Sequence, residues 1–159
     1  MEFLWSPWRY DYIASAGKPR PSCVFCIDVD PKSDPDRLIV YRGTHNFIIL
    51  NLFPYTSGHF MVAPYAHIAA LEEASSEEMS EMMELARRGV RALGKLYAPE
   101  GFNLGINLGH CAGAGVREHL HLHVVPRWTG DANFMTIAGE TRVLPEELTV
   151  TYRRLREAF

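Results

Sequence analysis

The sequence predicts one α+β domain with a largely antiparallel sheet of about five strands, one long helix and a C-terminal helix. Three observations support this fold class. Short apolar segments separated by turn residues recur along the chain, as is typical of strands. One long segment carries apolar residues at helical spacing. The 159 residues match the size of one ordinary domain, without an internal repeat or linker.

The first half of the chain contains three predicted strands. Residues 38–43 and 47–52 flank a short turn, which predicts a hairpin. Residues 59–65 form the third strand, which Pro64 ends. The segment before the hairpin, residues 31–36, is rich in proline and aspartate and predicts a loop.

A long helix follows. Ser75 or Ser76 caps its N-terminus, and Glu77 and Glu78 lie in the first turn, where the helix dipole favours acidic side chains. Apolar residues then follow helical spacing to about Tyr97. Beyond this helix the sequence predicts a glycine-interrupted strand at 102–109 and a Gly/Ala-rich loop at 110–116. A further strand at 118–127 and a closing helix at 145–158 follow.

The sequence EHLHLHVVPR, residues 118–127, predicts the strand around which the site is organised. Alternate side chains on a strand point to opposite faces, so His119, His121 and His123 should share one face, about 7 Å apart. Pro126 is expected to end the strand. The opposite face would carry Leu120, Leu122 and Val124.

Three imidazoles on one strand face indicate chemistry near neutral pH, since imidazole can accept a proton, attack as a nucleophile or bind a metal. Two catalytic interpretations remain open from the residues alone. The histidines could jointly bind one metal ion in a metal-dependent hydrolase. Alternatively, one imidazole is a nucleophile that its neighbours orient. A non-catalytic binding module is a third hypothesis, against which an intact histidine triplet argues.

Composition narrows the partners. The formal net charge is −3, which gives no indication of nucleic-acid binding. No apolar segment approaches the roughly 20 residues of a membrane span. The N-terminus lacks the order of charged and apolar residues found in a secretory signal. The sequence therefore predicts a cytoplasmic protein that binds neither a membrane nor a nucleic acid.

The chain has three cysteines, and two of them form the motif Cys23-Val-Phe-Cys26. In a cytoplasmic protein this spacing indicates metal or redox chemistry rather than a structural disulfide. Cys111 has no partner in this scheme and is interpreted as a loop residue.

The segment EHLHLHVV fits the pattern H-φ-H-φ-H-φ-φ, where φ is an apolar residue. It resembles the motif of the histidine triad (HIT) nucleotide hydrolases and transferases. The resemblance covers most of the chain, from Cys23 to Asn51, through residues 58–67, and from Asn107 to the triad. LNLFPYTSGHFMVAPY and HVVPRWTGDANFM look more like the bacterial diadenosine-tetraphosphate phosphorylase branch than the small nucleoside-phosphoramidase branch.

The resemblance implies catalytic roles for four histidines. His121 would be the nucleophile that attacks the α-phosphorus and forms a nucleotidyl-histidine intermediate. His123 would orient the phosphate, and His59 would be the separate upstream histidine beside the triad. His119 would be the first triad histidine.

Further positions correspond to nucleotide contacts in the family. Asn51 resembles the residue that hydrogen-bonds the ribose hydroxyls, and Asn107 resembles the polar residue beside the α-phosphate. The glycine-rich loop upstream of the triad suits backbone N–H contacts to phosphate oxygens. Its candidate residues are Gly113, Gly115 and Val116.

The resemblance also implies a structural zinc ion. Zinc-bearing relatives resemble a set of two cysteines and two histidines whose last ligand is the first triad histidine. In this chain the set is Cys23, Cys26, His67 and His119. Four protein ligands make a closed site, which is typical of structural zinc. No organic cofactor is expected.

One position pair departs from the family. Many members carry Gln followed by Ser or Thr just before the triad, and these side chains contact the bridging and leaving-group oxygens. Counting back from His119, the corresponding residues are Gly115 and Val116, neither of which has a side-chain donor. This departure favours the phosphorylase-like branch and leaves the leaving-group donor to be found elsewhere.

Together these features predict a HIT-fold enzyme, a homodimer by resemblance, that cleaves dinucleoside polyphosphates such as diadenosine tetraphosphate. The acceptor is inorganic phosphate in a phosphorylase or water in a hydrolase, and nucleoside phosphoramidates are the other substrate class. The predicted organisation is one HIT domain over residues 1–159. It consists of an aromatic N-terminal arm at 1–22, a core with the triad at 23–127, and a C-terminal loop and helix at 128–159.

Overall fold

The structure, a computed structural model, describes residues 23–27, 30–132 and 145–159. The predicted aromatic arm at residues 1–22 lies outside them. The predicted domain organisation accordingly stays a prediction for the chain as a whole.

Five strands form one sheet in the order β1-β2-β3-β5-β4, and every neighbouring pair is antiparallel. The predicted α+β class with a five-stranded antiparallel sheet is therefore confirmed. Each strand is slightly shorter than the predicted segment. Their bounds are Ile39–Arg42 (β1), Asn46–Leu50 (β2), Phe60–Pro64 (β3), Gly101–Ile106 (β4) and Leu122–Arg127 (β5).

Within the described ranges, three α-helices accompany the sheet: α1 at Asp34–Arg37, α2 at Ser76–Tyr97 and α3 at Leu148–Ala158. The loop predicted at residues 31–36 is wrong, because a 3₁₀ turn at Pro31–Ser33 leads directly into α1. Prolines near the start of both turns have no N–H to leave unsatisfied, so they suit these positions. No helix among the described residues is long and apolar enough to cross a bilayer.

Helix α2 begins as predicted. The Ser75 hydroxyl accepts a hydrogen bond from the Glu78 N–H, and the Glu78 carboxylate accepts one from the Ser75 N–H. This reciprocal capping box satisfies two backbone donors. Near the middle of α2, a Cβ at Gly89 would lie 2.2 Å from Cζ of Phe60 on β3. Gly89 thus permits the helix to pack closely on the sheet.

The two faces of the sheet have different contents. One face packs against α2 and α3 and holds the larger apolar core, which includes Leu120, Leu122 and Val124. The opposite face carries the histidines above a smaller apolar cluster that contains Phe25 and Met61. The predicted alternation of apolar and histidine side chains is therefore present.

The bounds of β5 differ from the prediction in two respects. The strand begins at Leu122, so His119 and His121 precede it. Its pairing with β3 stops at Leu122, and the Leu120 N–H instead donates to the Ile68 carbonyl. Pro126 lies inside β5 rather than ending it. Its carbonyl accepts a hydrogen bond from the Thr56 hydroxyl at 2.8 Å, beyond the last β3 pair, where no ladder N–H is needed.

Candidate active site

His121 immediately precedes the first residue of β5, an interior strand of the sheet, and is 4% exposed. Its Nδ1 is 2.8 Å from the main-chain carbonyl oxygen of His119. A carbonyl can only accept a hydrogen bond, so Nδ1 carries the proton and Nε2 keeps its lone pair. Burial lowers the pKa of His121, although the hydrogen bond to the His119 carbonyl partly opposes this effect. The ring is therefore neutral near pH 7, with an unprotonated Nε2.

His59 and His123 form a second hydrogen-bonded pair beside the nucleophile candidate. The Tyr55 N–H donates to Nδ1 of His59 at 3.1 Å, and Nε2 of His59 is 3.0 Å from Nδ1 of His123. Because Nδ1 of His59 accepts, its Nε2 donates to His123, and the proton of neutral His123 resides on Nε2. His123 is therefore prepared to donate a hydrogen bond from Nε2.

The pKa of His123 is lowered to about 4, first by burial and second by the nearby His121. A protonated His123 would be poorly solvated in this position. The rings of His121 and His123 meet edge to face, with centroids 4.9 Å apart. Two neutral imidazoles with complementary roles thus lie side by side, one with a free lone pair and one with a donor N–H.

A cavity of about 650 Å³ opens in front of these two rings. Most of the residues predicted to bind or transform a nucleotide line it: Asn51, Asn107, Gly113, Gly115, Val116, His121 and His123. Asn51 is held in place because its side-chain oxygen accepts the Phe53 N–H at 2.9 Å. His59 and His119 do not line the cavity; they are buried behind it, each 1% exposed.

One backbone donor of the glycine-rich loop is used within the loop itself. Gly113 adopts a positive φ of 87° and donates its N–H to the His110 carbonyl within a turn, so this N–H is already engaged. Val116 packs against the small apolar cluster around Phe25. Gly115 and Val116 border the cavity without a side-chain hydrogen-bond donor, as the sequence indicates.

The four residues predicted to bind zinc converge. The ligand atoms of Cys23, Cys26, His67 and His119 all lie within 4.8 Å of one another. Nδ1 of His119 is 3.5 Å from Sγ of Cys23 and 4.0 Å from Sγ of Cys26, and Nδ1 of His67 is 3.2 Å from Sγ of Cys26. Tetrahedral zinc with ordinary Zn–S and Zn–N bonds would place its ligand atoms roughly 3.3–3.8 Å apart. The donor set therefore suits zinc, and the S···N distances of 3.2, 3.5 and 4.0 Å lie close to the expected range.

The orientation of His119 supports the same conclusion. Its Nε2 is 2.8 Å from the Pro64 carbonyl oxygen, so Nε2 carries the proton and the Nδ1 lone pair faces the cysteines. Burial is the main cause of its lowered pKa, which keeps the ring neutral and able to bind a metal. Cys111 is exposed and lies outside the cluster, as predicted.

Three residues of the site were not identified from the sequence. Phe25 stacks on His121 with ring centroids 4.8 Å apart and planes at 30°. Arg37 donates to the carbonyls of Val24 and Cys26, which fixes the cysteine loop. Tyr55 lines the cavity and orients His59 through its N–H. Only Phe25 had a sequence signal, because it lies between the two cysteines and must follow them wherever they are held.

Comparison with known proteins identifies the family. A model of the HIT domain matches residues 23–130. The chain is 41% identical over 162 residues to a protein of Mycobacterium tuberculosis named AP-4-A phosphorylase, with 98% of this chain and 83% of the relative covered. It is 30% identical over 106 residues to the adenosine 5′-monophosphoramidase of Schizosaccharomyces pombe, with 67% and 74% covered.

A solved structure is also similar. It is described as a Zn-bound histidine triad family protein from Mycobacterium smegmatis; it shares 32% sequence identity and superposes with a TM-score of 0.66. The match covers 86% of this chain and 92% of that one. Domain match, sequence identity and fold agree, and this chain belongs to the HIT domain family.

Proposed function

We propose that the protein is a nucleotidyl transferase that splits dinucleoside polyphosphates, with diadenosine tetraphosphate as substrate and inorganic phosphate as acceptor. The M. tuberculosis relative named AP-4-A phosphorylase supports the substrate and the reaction, because it is similar over nearly the whole chain. The absence of a side-chain donor at Gly115 and Val116 supports the same branch.

The observation that carries the proposal is the 2.8 Å hydrogen bond between Nδ1 of His121 and the His119 carbonyl. This bond selects the tautomer whose Nε2 is a nucleophile at neutral pH. The same ring borders a cavity of about 650 Å³, a volume in the usual range for a small-molecule site. A fixed, neutral imidazole at a nucleotide-sized cavity suits covalent catalysis.

In the first step, the Nε2 lone pair of His121 forms a P–N bond with the α-phosphorus. The bond between that phosphorus and its bridging oxygen breaks, and ATP departs with the bonding electrons. In the second step, an oxygen of inorganic phosphate attacks the nucleotidyl-histidine and the P–N bond breaks. The products are ADP and ATP, one proton is released to solvent, and His121 returns to its neutral form.

The neighbouring residues would bind and orient the substrate. His123 would donate from Nε2 to an oxygen of the α-phosphate or of the leaving group. This hydrogen bond would partly compensate for the lack of a side-chain donor at Gly115 and Val116. Asn107 borders the same position in the cavity, and Asn51 would bind the ribose hydroxyls. Hydrogen-bond donors that are already oriented stabilise the charge that develops during phosphoryl transfer.

We further propose that Cys23, Cys26, His67 and His119 hold a structural zinc ion. The Zn-bound relative from M. smegmatis supports the choice of metal. When bound, zinc would supply a cross-link between the cysteine loop and the segment that carries His121. The nucleophile itself needs no metal contact in this arrangement.

The orientation of His119 argues against the alternative in which all three histidines hold one catalytic metal. Its Nδ1 faces the cysteines and its Nε2 faces Pro64, so neither nitrogen points toward an ion shared with His121 and His123. Nδ1 of His121 and Nδ1 of His123 are likewise engaged with protein partners. Chelation is therefore expected to affect stability before it affects the chemical step.

A homodimer is also part of the proposal. Strand β4 is an edge of the sheet, and Leu104 on it and Leu108 just beyond it are 44% and 42% exposed. An open strand edge with exposed leucines can pair with the same strand of a second copy.

Product analysis tests the function. Purified protein is incubated with diadenosine tetraphosphate, with and without inorganic phosphate, and the nucleotides are separated. We expect ADP and ATP only in the presence of phosphate. In His121→Asn, turnover should fall on the order of 10⁴-fold or more, since no other group replaces the nucleophile.

Each other result has a defined meaning. AMP and ATP in the absence of phosphate would establish a hydrolase. Turnover only of an adenosine phosphoramidate would place the chain with the S. pombe relative instead. Undiminished turnover in His121→Asn would refute the covalent mechanism. A trapped ³²P-labelled adduct in the wild type, absent from the variant, provides the positive control.

A further inference from the structure

A second cavity, of about 310 Å³, adjoins the main one. The two cavities share Tyr55, Asn107 and His123, whereas His121 borders only the main cavity. The second cavity therefore lies on the side of His123 away from the nucleophile. In an in-line displacement the leaving group departs on the side opposite the attacking atom, so a leaving group that extends past His123 would reach this cavity.

We infer that this second cavity binds the nucleoside of the departing nucleotide. The inference rests on the proposed function, because only a dinucleoside substrate has a second nucleoside to bind. It extends that function by assigning a site to the half of the substrate that does not become attached to His121.

The chemistry of the walls favours a nucleoside over a phosphate chain. Arg127 is the cation of this cavity among the described residues, and its guanidinium is paired with Asp131 at 2.6 and 3.0 Å. Its Nη1 also donates to the side-chain oxygen of Asn103 at 2.7 Å. A paired cation attracts phosphate weakly, whereas carboxylate and amide oxygens accept hydrogen bonds from sugar hydroxyls and base N–H groups.

The apolar part of the cavity suits a base. Val125 and Ala132 line it, and the Tyr55 ring, 42% exposed, borders both cavities. Tyr55 is nearly parallel to His123, with planes at 23° and centroids 6.4 Å apart. Aromatic and apolar walls bind bases by stacking, without requiring one particular base.

Gly105 on β4 keeps the cavity open. It pairs with His123 across the sheet, and a Cβ at this position would meet no atom within 4 Å. Side chains on paired residues of adjacent strands project to the same side, about 5 Å apart. A side chain at 105 would therefore enter the second cavity without displacing the backbone.

Gly101 offers a matched control. It lies on the same strand, four residues away and hence on the same face, and a Cβ there also meets nothing within 4 Å. It does not line the second cavity. Gly101→Leu and Gly105→Leu thus place the same side chain on the same strand, and only Gly105→Leu places it in the cavity.

The test compares two ligands in the His121→Asn background, in which neither is consumed. Isothermal titration measures the affinity of diadenosine tetraphosphate and of adenosine 5′-tetraphosphate, which has the same number of phosphates but one nucleoside. We expect Gly105→Leu to weaken binding of the dinucleotide about tenfold and binding of the mononucleotide less than twofold. Gly101→Leu should change neither affinity.

An equal loss for both ligands would overturn the inference, because it would place the effect on the phosphates or on His123. So would unchanged affinity for both. If the parent binds neither ligand, the proposed function fails and the inference falls with it. Light scattering and a thermal melt of each variant check assembly and folding. Gly105→Ala, which adds one methyl group, should give the same pattern with a smaller loss.

Discussion

The two sides of His121 are held in different ways. On one side, the ligand atoms of Cys23, Cys26, His67 and His119 converge, and under the proposal a zinc ion joins them. On the other side, the Tyr55 N–H, His59 and His123 form a hydrogen-bonded chain that is complete without any ion. The stability of the site and the orientation of its reacting groups thus depend on different contacts, and each can be tested by itself.

The largest expected effect concerns the cysteine side. In Cys26→Ser, we expect zinc to fall from about one ion per chain to near zero. When the free zinc concentration is a thousandfold above the Kd, loss of the ion lowers the free energy of unfolding by about 4 kcal/mol. The midpoint of thermal unfolding should then fall by roughly 10 °C. Cys111→Ser is the matched control, since Cys111 is exposed and outside the cluster.

Elemental analysis and calorimetry on the two variants provide the measurement. Equal zinc content and equal melting of Cys26→Ser and the wild type would show that the cluster is not a metal site. Under the proposal, adding a chelator to Cys26→Ser should produce no further change, because the ion is already absent.

A smaller effect is expected on the histidine side. His59→Phe keeps a ring of similar size but removes the donor to His123. Activity should fall about 10- to 100-fold, as is typical when a residue that orients an active-site group is lost. Loss of the acceptor that His59 provides for the Tyr55 N–H should also cost about 1–3 kcal/mol of stability. Zinc content should not change, and that result distinguishes this side from the other.

Nitrogen-15 spectra of the imidazoles give a readout that a purely structural role would not affect. In the wild type, the proton of His123 should reside on Nε2 and that of His121 on Nδ1. In His59→Phe only His123 should lose its preference. A change of tautomer at His121 instead would mean that the two histidines are not held independently.

The smallest effect concerns pH. The pKa of His123 is about 4 in the folded chain, against an ordinary value of 6.5. Between these values the unfolded chain binds a proton that the folded chain does not, so stability is lost as the pH falls from about 6.5 to about 4. An NMR titration should show His123 neutral at pH 5, with a slightly higher midpoint in His121→Asn. A midpoint near 6.5 would contradict the assignment of burial as the main cause.

The histidine strand shows which features of the fold can be predicted from the sequence. The alternation of imidazoles and aliphatic residues follows from strand geometry and is observed. The start of β5 at Leu122 could not be foreseen, since it depends on where β3 ceases to pair and on Ile68, which accepts the Leu120 N–H. Local periodicity contains no information about a partner more than 50 residues away.

The candidate site was likewise predictable only in part. Motif spacing indicated the three histidines of the strand and the two cysteines. The resemblance to the HIT family added His59, His67 and the two asparagines. It could not show that the Tyr55 N–H determines the tautomer of His123 through His59, because that chain joins residues 55, 59 and 123 only in the fold. It also could not show that His119 is buried behind the cavity whereas His121 lies at its wall.

His119 serves the site through two chemically separate parts of one residue. Its ring faces the cysteines, but the group that fixes His121 is its main-chain carbonyl, which every amino acid possesses. Evolution could therefore exchange the ring, and the two cysteines with it, while the nucleophile kept its orientation. Such descendants would keep the arrangement around His121 without the metal. The presence or absence of zinc would then reflect ancestry rather than activity.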